Sequence, residues 1–180
     1  DMKSSPLCTS QDMVTTAAIE NTTASLIPKE VILIVVRSGI LARTIPIAIT
    51  GREVTINQDI KALCPNGNID AKYLHYYLTS KEHALLQLVS RGATVHRILS
   101  DDLKNFTIPC PPLAEQKLIV AILDEAFEAI DTATAHAQKN LANARELFDS
   151  YLISTLDAKD REWMARRLAD VAVTFGRGRS

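Results

Sequence analysis

The stretch IPCPPLAEQKLIVAI, residues 108–122, decides how this chain is organised. Three prolines within this stretch, Pro109, Pro111 and Pro112, end a first segment of the chain. More than forty residues without proline or glycine follow them, to about Asp157. Proline suits the first turn of a helix, where no N–H bond is needed, and Glu115 in that turn is favoured by the helix dipole. The pattern therefore predicts a globular head over residues 1–112 and one long helix over residues 113–157, about 65 Å at ~1.5 Å per residue.

The long helix carries a 4-3 spacing that is typical of a coiled coil. Four of its ten spaced positions are alanine, which would let a partner helix approach closely, and the polar Asn140 could fix the register. We expect the helix to protrude and to pair, with a second copy of this chain as one candidate partner. It could instead lie across its own head, although a domain of about 110 residues is only ~30 Å across. The predicted seam consists of Ile119, Leu123, Ala126, Ile130, Ala133, Ala137, Asn140, Ala144, Leu147 and Tyr151.

The head shows the short apolar runs of an α/β domain. β-branched runs predict strands, and Asp70 is expected to cap a helix, because its carboxylate can accept the free N–H groups of the first turn. We expect a mixed twisted sheet with short helices. The predicted strands span residues 30–36, 43–50, 53–56 and 106–108; the predicted helices span residues 71–80 and 81–89; residues 94–98 are expected to form an exposed connection.

Composition indicates an ordinary soluble domain with an accessory element. The 180 residues are 47% hydrophobic and 23% charged, and no apolar run approaches the ~18 residues of a membrane span. The first twenty residues lack the basic start and apolar block of a signal peptide. Three cysteines lie far apart without a CxxC, which indicates reduced thiols rather than a zinc site or a disulfide framework. These features predict a cytoplasmic protein.

Charge is distributed unevenly along the chain. The net charge of −1 by itself argues against nucleic-acid binding. Residues 29–112, however, carry ten Lys or Arg against seven Asp or Glu, and residues 113–157 carry three against eight. An acidic helix thus follows a mildly basic region, although ordinary solvated surface would also explain the difference.

No catalytic motif is present. GxSxG, HExxH, Walker A and GxGxxG are all absent, and the four histidines are scattered, so no catalytic residue, metal ligand or cofactor is predicted. Two loops, residues 37–43 and 91–97, each carry two arginines and a glycine. Arginine can fork onto phosphate or onto guanine, so these loops are candidates for contacting nucleic acid, with ordinary surface loops as the alternative. Asn57 either contacts a base or tightens its own loop. The candidate contacts are Arg37, Ser38, Arg43, Asn57, Gln58, Arg91, Thr94, His96 and Arg97.

Several blocks, in this order, resemble the DNA-specificity subunit of type I restriction-modification systems. The proline-rich exit followed by Glu115-Gln116 is fairly specific, whereas each other block alone is weak. Together they cover roughly residues 20–157. The blocks are VILIVVRSGILAR at 31–43, TINQDIKAL at 55–63, AKYLHYYLTS at 71–80, GAT at 92–94 and IPCPPLAEQKLIVAILD at 108–124.

The resemblance implies a non-catalytic subunit with two target-recognition domains separated by two long antiparallel helices. Each domain of such a subunit recognises one half of a split DNA site. The helices set the gap between the halves and dock the methyltransferase subunits, and through them the restriction subunit. Here the resemblance implies an N-terminally truncated target-recognition domain at 1–112, the spacer helix at 113–157, and the start of a second domain or a tail at 158–180. The alternatives are a helical scaffold whose globular part binds another protein and, last, a small enzyme.

Overall fold

The computed structural model describes residues 2, 5–10, 13–20, 25–92, 95–157 and 163–172. Within them, two three-stranded sheets and short helices precede one helix of 44 residues. The strands are β1 (Ile32–Val35), β2 (Arg37–Ser38), β3 (Ile47–Ile49), β4 (Ile60–Leu63), β5 (Val89–Ser90) and β6 (His96–Ile98). The helices are α1 (Thr16–Glu20), a 3-10 helix (Gly39–Ala42), α2 (Ala71–Ser80), α3 (Glu82–Leu86), α4 (Ser100–Lys104), α5 (Leu113–Leu156) and α6 (Leu168–Val171).

The first sheet has the order β3-β1-β4 and forms the centre of the core. β1 is antiparallel to both neighbours, with Leu33 opposite Ala48 on one side and Ala62 on the other. Successive side chains of a strand point to opposite faces. Ile32 and Ile34 accordingly pack in one apolar cluster, whereas Leu33 packs in another. Both faces of β1 are therefore covered, which explains its unbroken apolar sequence.

The second sheet has the order β2-β6-β5 and is not predicted by the sequence pattern. Residues 94–98 are expected to be an exposed connection, but His96–Ile98 form the central strand, with Ile98 buried opposite Val89. The prediction is wrong because two polar residues precede the one buried residue, so no apolar run marks the strand. The described residues 53–56 and 106–108 do not form the strands expected of them, and the first of these regions makes only a bridge between Ile27 and Val54.

Two helices form where the sequence predicts them. The Asp70 carboxylate accepts hydrogen bonds from the backbone N–H groups of Lys72 and Tyr73, at 2.9 and 3.1 Å, and so caps α2. α5 begins directly after Pro112 and runs unbroken for 44 residues. The α/β class with short helices and one long helix is thus confirmed. The named strands pair antiparallel, and a parallel bridge between Leu7 and Thr50 adjoins the first sheet.

The chain divides into two compact units, residues 1–127 and 128–180. The first turns of α5 therefore belong to the same unit as the head, and we call residues 108–127 the junction. Within the described residues, no helix is both long enough and apolar enough to cross a bilayer.

The junction is held by the fully buried side chain of Gln116. Its Nε2 donates hydrogen bonds to the carbonyls of Pro111 and Asn68, at 2.7 and 3.0 Å, and its Oε1 accepts from the backbone N–H of Asp70 at 2.8 Å. One amide thus joins the start of α5, the proline-rich exit and the cap of α2. Burial of an amide is favourable only when its hydrogen bonds are made, as they are here.

Candidate nucleic-acid interface

The two arginine loops meet in the second sheet. β2 and β6 are antiparallel, with Arg37 opposite Arg97 and Ser38 opposite His96. Residues directly opposite each other have Cβ atoms about 5 Å apart, and like charges at that spacing repel. Both arginines are exposed. The pair therefore has charge available for an anion.

Arg91 extends this group from the edge strand. It directly follows β5, whose Ser90 lies opposite Arg97. Gly92 is required after it, because a Cβ there would lie 2.3 Å from the carbonyl oxygen of Val95. We call Arg37, Ser38, Arg91, His96 and Arg97 the basic cluster. Thr94, the remaining candidate of this loop, lies outside the described residues.

Asp59 holds Arg37 in place. Its Oδ1 lies 3.2 Å from the Arg37 Nε, and its carbonyl accepts from the N–H groups of Val36 and Arg37 at 2.8 and 3.2 Å. Asn57 Oδ1 accepts from the Asp59 N–H at 3.1 Å, so Asn57 tightens this loop as one of its two predicted roles requires. Its neighbour Gln58 is exposed beside the same turn.

Two groups orient the other end of the first arginine loop. Ser38 Oγ accepts from the N–H of Ile40 at 3.3 Å and caps the 3-10 helix, after which Arg43 lies exposed. The carboxylate of Glu82 on α3 accepts from the hydroxyl of Thr44 and, at 2.9 Å, from the N–H of Ile45. Arg43 thus lies outside the two-strand pairing, on a segment fixed by the cap and by Glu82.

His96 differs from the arginines in being half-buried. Its Nδ1 is buried and, within the described part of the chain, has no hydrogen-bond partner. Buried polar atoms are nearly always paired, so an unpaired ring nitrogen on the central strand of the second sheet is unusual. Sequence inspection cannot reveal this feature, because it depends on how β6 lies between its neighbours.

One serine–histidine pair lies away from the basic cluster. Ser5 Oγ is 3.1 Å from His75 Nε2 and also accepts from the N–H of Ile49 at 3.2 Å. Burial lowers the pKa of His75. These contacts tie the N-terminal segment to α2 and β3. Among the described residues, no three His, Cys, Asp or Glu side chains group as metal ligands would, and Cys8, Cys64 and Cys110 are free and exposed.

The predicted helix seam divides at the junction. Ile119 and Leu123 are half-buried, whereas the seam residues from Ala126 onward are exposed. A second 4-3 line on α5 includes the large exposed side chains of Phe127, Leu141 and Phe148. It shares Ile130, Ala137, Ala144 and Tyr151 with the predicted seam. Sequence reasoning missed this line because it fixed the phase from Ile119 and Leu123. The second line consists of Phe127, Ile130, Thr134, Ala137, Leu141, Ala144, Phe148 and Tyr151.

Comparison with known proteins gives consistent matches. A family model described as the type I restriction modification DNA specificity domain matches residues 4–142. The Escherichia coli EcoR124I/EcoR124II specificity subunit of a type I restriction enzyme is 36% identical over 148 residues, 82% of this chain and 36% of that protein. A Haemophilus influenzae protein named as a putative type I restriction enzyme specificity subunit is 30% identical over 131 residues, 67% of this chain and 32% of that protein.

A solved structure matches as well. The matched structure is described as the structural basis of complex assembly and conformational transition of the type I restriction-modification system. The present chain is similar to it with a TM-score of 0.57 and 27% sequence identity. The match covers 68% of this chain and 29% of that one. The present chain thus spans about a third of the length of the curated relatives it matches.

Proposed function

Because the chain belongs to the type I restriction-modification DNA specificity family, we propose that it recognises one half of a split DNA site on behalf of a restriction-modification complex. The family match is to a specificity domain, so the proposed role is non-catalytic and uses no cofactor. The proposed partners are double-stranded DNA, the methyltransferase subunits and, through them, the restriction subunit. The proposed location is the cytoplasm.

The observation that carries this proposal is the pairing of Arg37 with Arg97 across β2 and β6. Two arginines directly opposite each other on paired strands cost energy unless an anion lies close to them. Within the described residues, Asp59 is paired with the Nε edge of Arg37, so further N–H groups of both arginines can face phosphate or guanine. Two loops about sixty residues apart in sequence supply one positive surface.

The candidate residues divide by proposed role. Arg37, Arg91 and Arg97 are the proposed phosphate or guanine contacts, with Arg43 at the edge of the surface. His96 is a proposed base contact because its buried Nδ1 has, within the described residues, no hydrogen-bond partner. The supporting roles fall to Ser38 and Asn57, whose side-chain oxygens already accept backbone N–H groups, and the lesser contacts proposed are Gln58 and Thr94.

Salt-dependent duplex binding tests the surface. The assay uses the full specificity subunit that contains this sequence, assembled with its modification subunits. Arg37→Ala and Arg97→Ala should each flatten the plot of log binding constant against log salt by ~0.9 for each phosphate that the arginine neutralises. Arg52→Ala, an exposed arginine outside the cluster, is the matched control. Parent-like slopes and site discrimination in both variants would show that DNA binds elsewhere.

We further propose that residues 1–112 form the recognition domain, residues 113–157 the spacer helix that pairs with another helix and docks the methyltransferase subunits, and residues 158–180 the start of a second domain. Much of the last segment lies outside the described residues. The exposed apolar side chains of α5 support a pairing role, since surface apolar stripes of this length usually mark an interface.

Helix pairing is tested by charge insertion. Ile130→Asp should abolish self-association or partner docking on either line, because both include this residue. Leu147→Asp and Phe148→Asp then distinguish the predicted seam from the second line, and light scattering measures the result. Assembly retained in all three variants would exclude both lines. An unmodified protein that assembles through α5 but does not bind DNA would instead favour the alternative in which the chain is a helical scaffold.

A further inference from the structure

A second anchor holds the junction two turns beyond Gln116. The Asp124 carboxylate accepts hydrogen bonds from the Lys72 ammonium, at 2.7 Å, and from the Tyr76 hydroxyl. The Tyr76 ring also packs against Phe127, with ring centroids 5.4 Å apart. Lys72 and Tyr76 are four residues apart on α2 and so share one face of that helix. All four residues belong to the unit that contains the head.

The two anchors together fix a direction. Gln116 and Asp124 are eight residues apart on α5, which places them about 12 Å apart along the helix axis. A single attachment point would leave the helix free to pivot, whereas two points separated along its axis define its angle to α2. Both anchors use hydrogen bonds, which are strongly directional, whereas hydrophobic contact is not.

We propose that Gln116 and the Lys72–Asp124–Tyr76 contact form a two-point lock, and that this lock sets the gap between half-sites that the complex accepts. The inference rests on the proposed function for its second part. Gln116, Lys72, Tyr76 and Asp124 are then positioning residues for DNA recognition. None of them belongs to the basic cluster, so they act on the spacing of the site rather than on its bases.

The direction of α5 must be held within a narrow range of angles. α5 has 44 residues, so it is about 66 Å long at ~1.5 Å per residue. Successive base pairs are about 3.4 Å apart. The 32 residues after Asp124, to the end of α5, extend about 48 Å. A change of about 4° in helix direction displaces the far end by one base-pair step, so discrimination between gaps that differ by one base pair needs the angle held within a few degrees.

The lock itself is tested on the 180-residue chain. Spin labels at Cys64 and at Ala121→Cys report the distance between the head and the first turns of α5. Cys8→Ser and Cys110→Ser remove the other thiols, and the serine at 110 keeps a polar group beside Gln116. The double variant Tyr76→Phe/Asp124→Asn should broaden that distance distribution at least twofold. Asp131→Asn, seven residues further along the same helix and exposed, should not. Equal widths in parent and double variant would refute the lock.

The effect on the gap is tested in the full complex. A library holds the two half-sites constant and varies the gap, and methylated products are sequenced. The double variant should raise the yield at gaps one base pair longer or shorter about tenfold relative to the parent, with the same half-site bases. Gln116→Glu, which keeps the size of the side chain, should do likewise, and Asp131→Asn should match the parent.

The outcomes separate the inference from the proposed function. An unchanged single gap, or an equal loss of methylation at every gap, overturns the positioning role, because a merely structural contact would act in either of those ways. A parent complex that methylates no split site refutes the proposed function and with it the gap effect. A broadened label distance in that case still supports the lock.

Discussion

Replacing Gln116 by alanine should destabilise the head severely. The fully buried amide makes three hydrogen bonds to backbone groups: its Nε2 donates to the carbonyls of Pro111 and Asn68, and its Oε1 accepts from the N–H of Asp70. Truncation removes the Gln116 partner of each of these groups, and an unsatisfied buried group costs about 1–3 kcal/mol. Because the carbonyls can regain some bonds to entering water, we expect a total loss of about 3 kcal/mol in the free energy of unfolding.

The assay is urea unfolding followed by near-ultraviolet circular dichroism. Three tyrosines lie on α2 beside the junction, and the Tyr73 hydroxyl donates to the carbonyl of Pro109, so this signal reports the region in question. With a dependence of about 2 kcal/mol per molar urea, the midpoint should fall by about 1.5 M. Gln138→Ala, an exposed glutamine on the same helix, should change stability by less than ~0.5 kcal/mol. A Gln116→Ala midpoint within about 0.25 M of the parent would refute the reasoning.

Gln116→Glu separates the effect of the hydrogen bonds from the effect of side-chain volume. Its carboxyl retains an acceptor for Asp70, but when ionised it faces two carbonyl oxygens without a proton to donate. The folded-state pKa of the new carboxyl should therefore lie above its unfolded value of about 4.3. The stability that the protonated group supplies is fully present below the unfolded pKa and is lost as pH rises through the folded pKa. The difference in the free energy of unfolding between Gln116→Glu and the parent should therefore change across this pH range. The same difference below the unfolded pKa and above the folded pKa would contradict this account.

Three further predictions concern contacts around the two helices and the first arginine loop. Hydrogen bonds, first from Lys72 and then from Tyr76, hold the pKa of Asp124 below its usual value. The stabilisation is therefore present above the pKa of the unfolded state and is lost as pH falls through the pKa of the folded state. Lys72→Met should lower the urea midpoint at neutral pH and not at about pH 2. Burial and the bond to Asp124 raise the pKa of Tyr76 to about 12, and Tyr76→Phe should remove one phenol from the late part of an alkaline absorbance titration. Glu82→Gln weakens two charge-assisted bonds and should speed amide exchange at Ile45 about tenfold, whereas an unchanged rate would show that Glu82 does not hold the loop.

Local signals explain which elements the sequence predicts well. α5 and α2 are each marked by residues within one turn of their starts: Pro112 for α5 and Asp70 for α2. A proline or a capping carboxylate acts on its own helix end regardless of what packs against it. β1 is similarly predictable, because a strand buried on both faces is apolar at every position.

The second sheet and the positions of its side chains could not be predicted in this way. β6 pairs with strands about sixty and seven residues away, and only Ile98 of its three residues is buried. The arginine loops are recognisable as candidates, but the register that puts Arg37 opposite Arg97 is a tertiary property. The same holds for Asp59 and Glu82, because no sequence motif marks their contacts with the arginine-bearing segments.

The junction shows why α5 cannot be interpreted as a uniform coiled-coil helix. A seam phased from Ile119 and Leu123 assumes that the first turns face the same partner as the later ones, yet these two residues are half-buried in the unit that contains the head. An ideal helix drifts by about 20° per heptad relative to a strict seven-residue repeat, so one phase need not serve both ends. The second line is displaced by one residue from the predicted seam at several positions. At three of them it has Phe127, Leu141 and Phe148, whereas the predicted seam has Ala126, Asn140 and Leu147. The first turns are held to the head by Gln116 and Asp124, whereas the later turns expose their large apolar side chains.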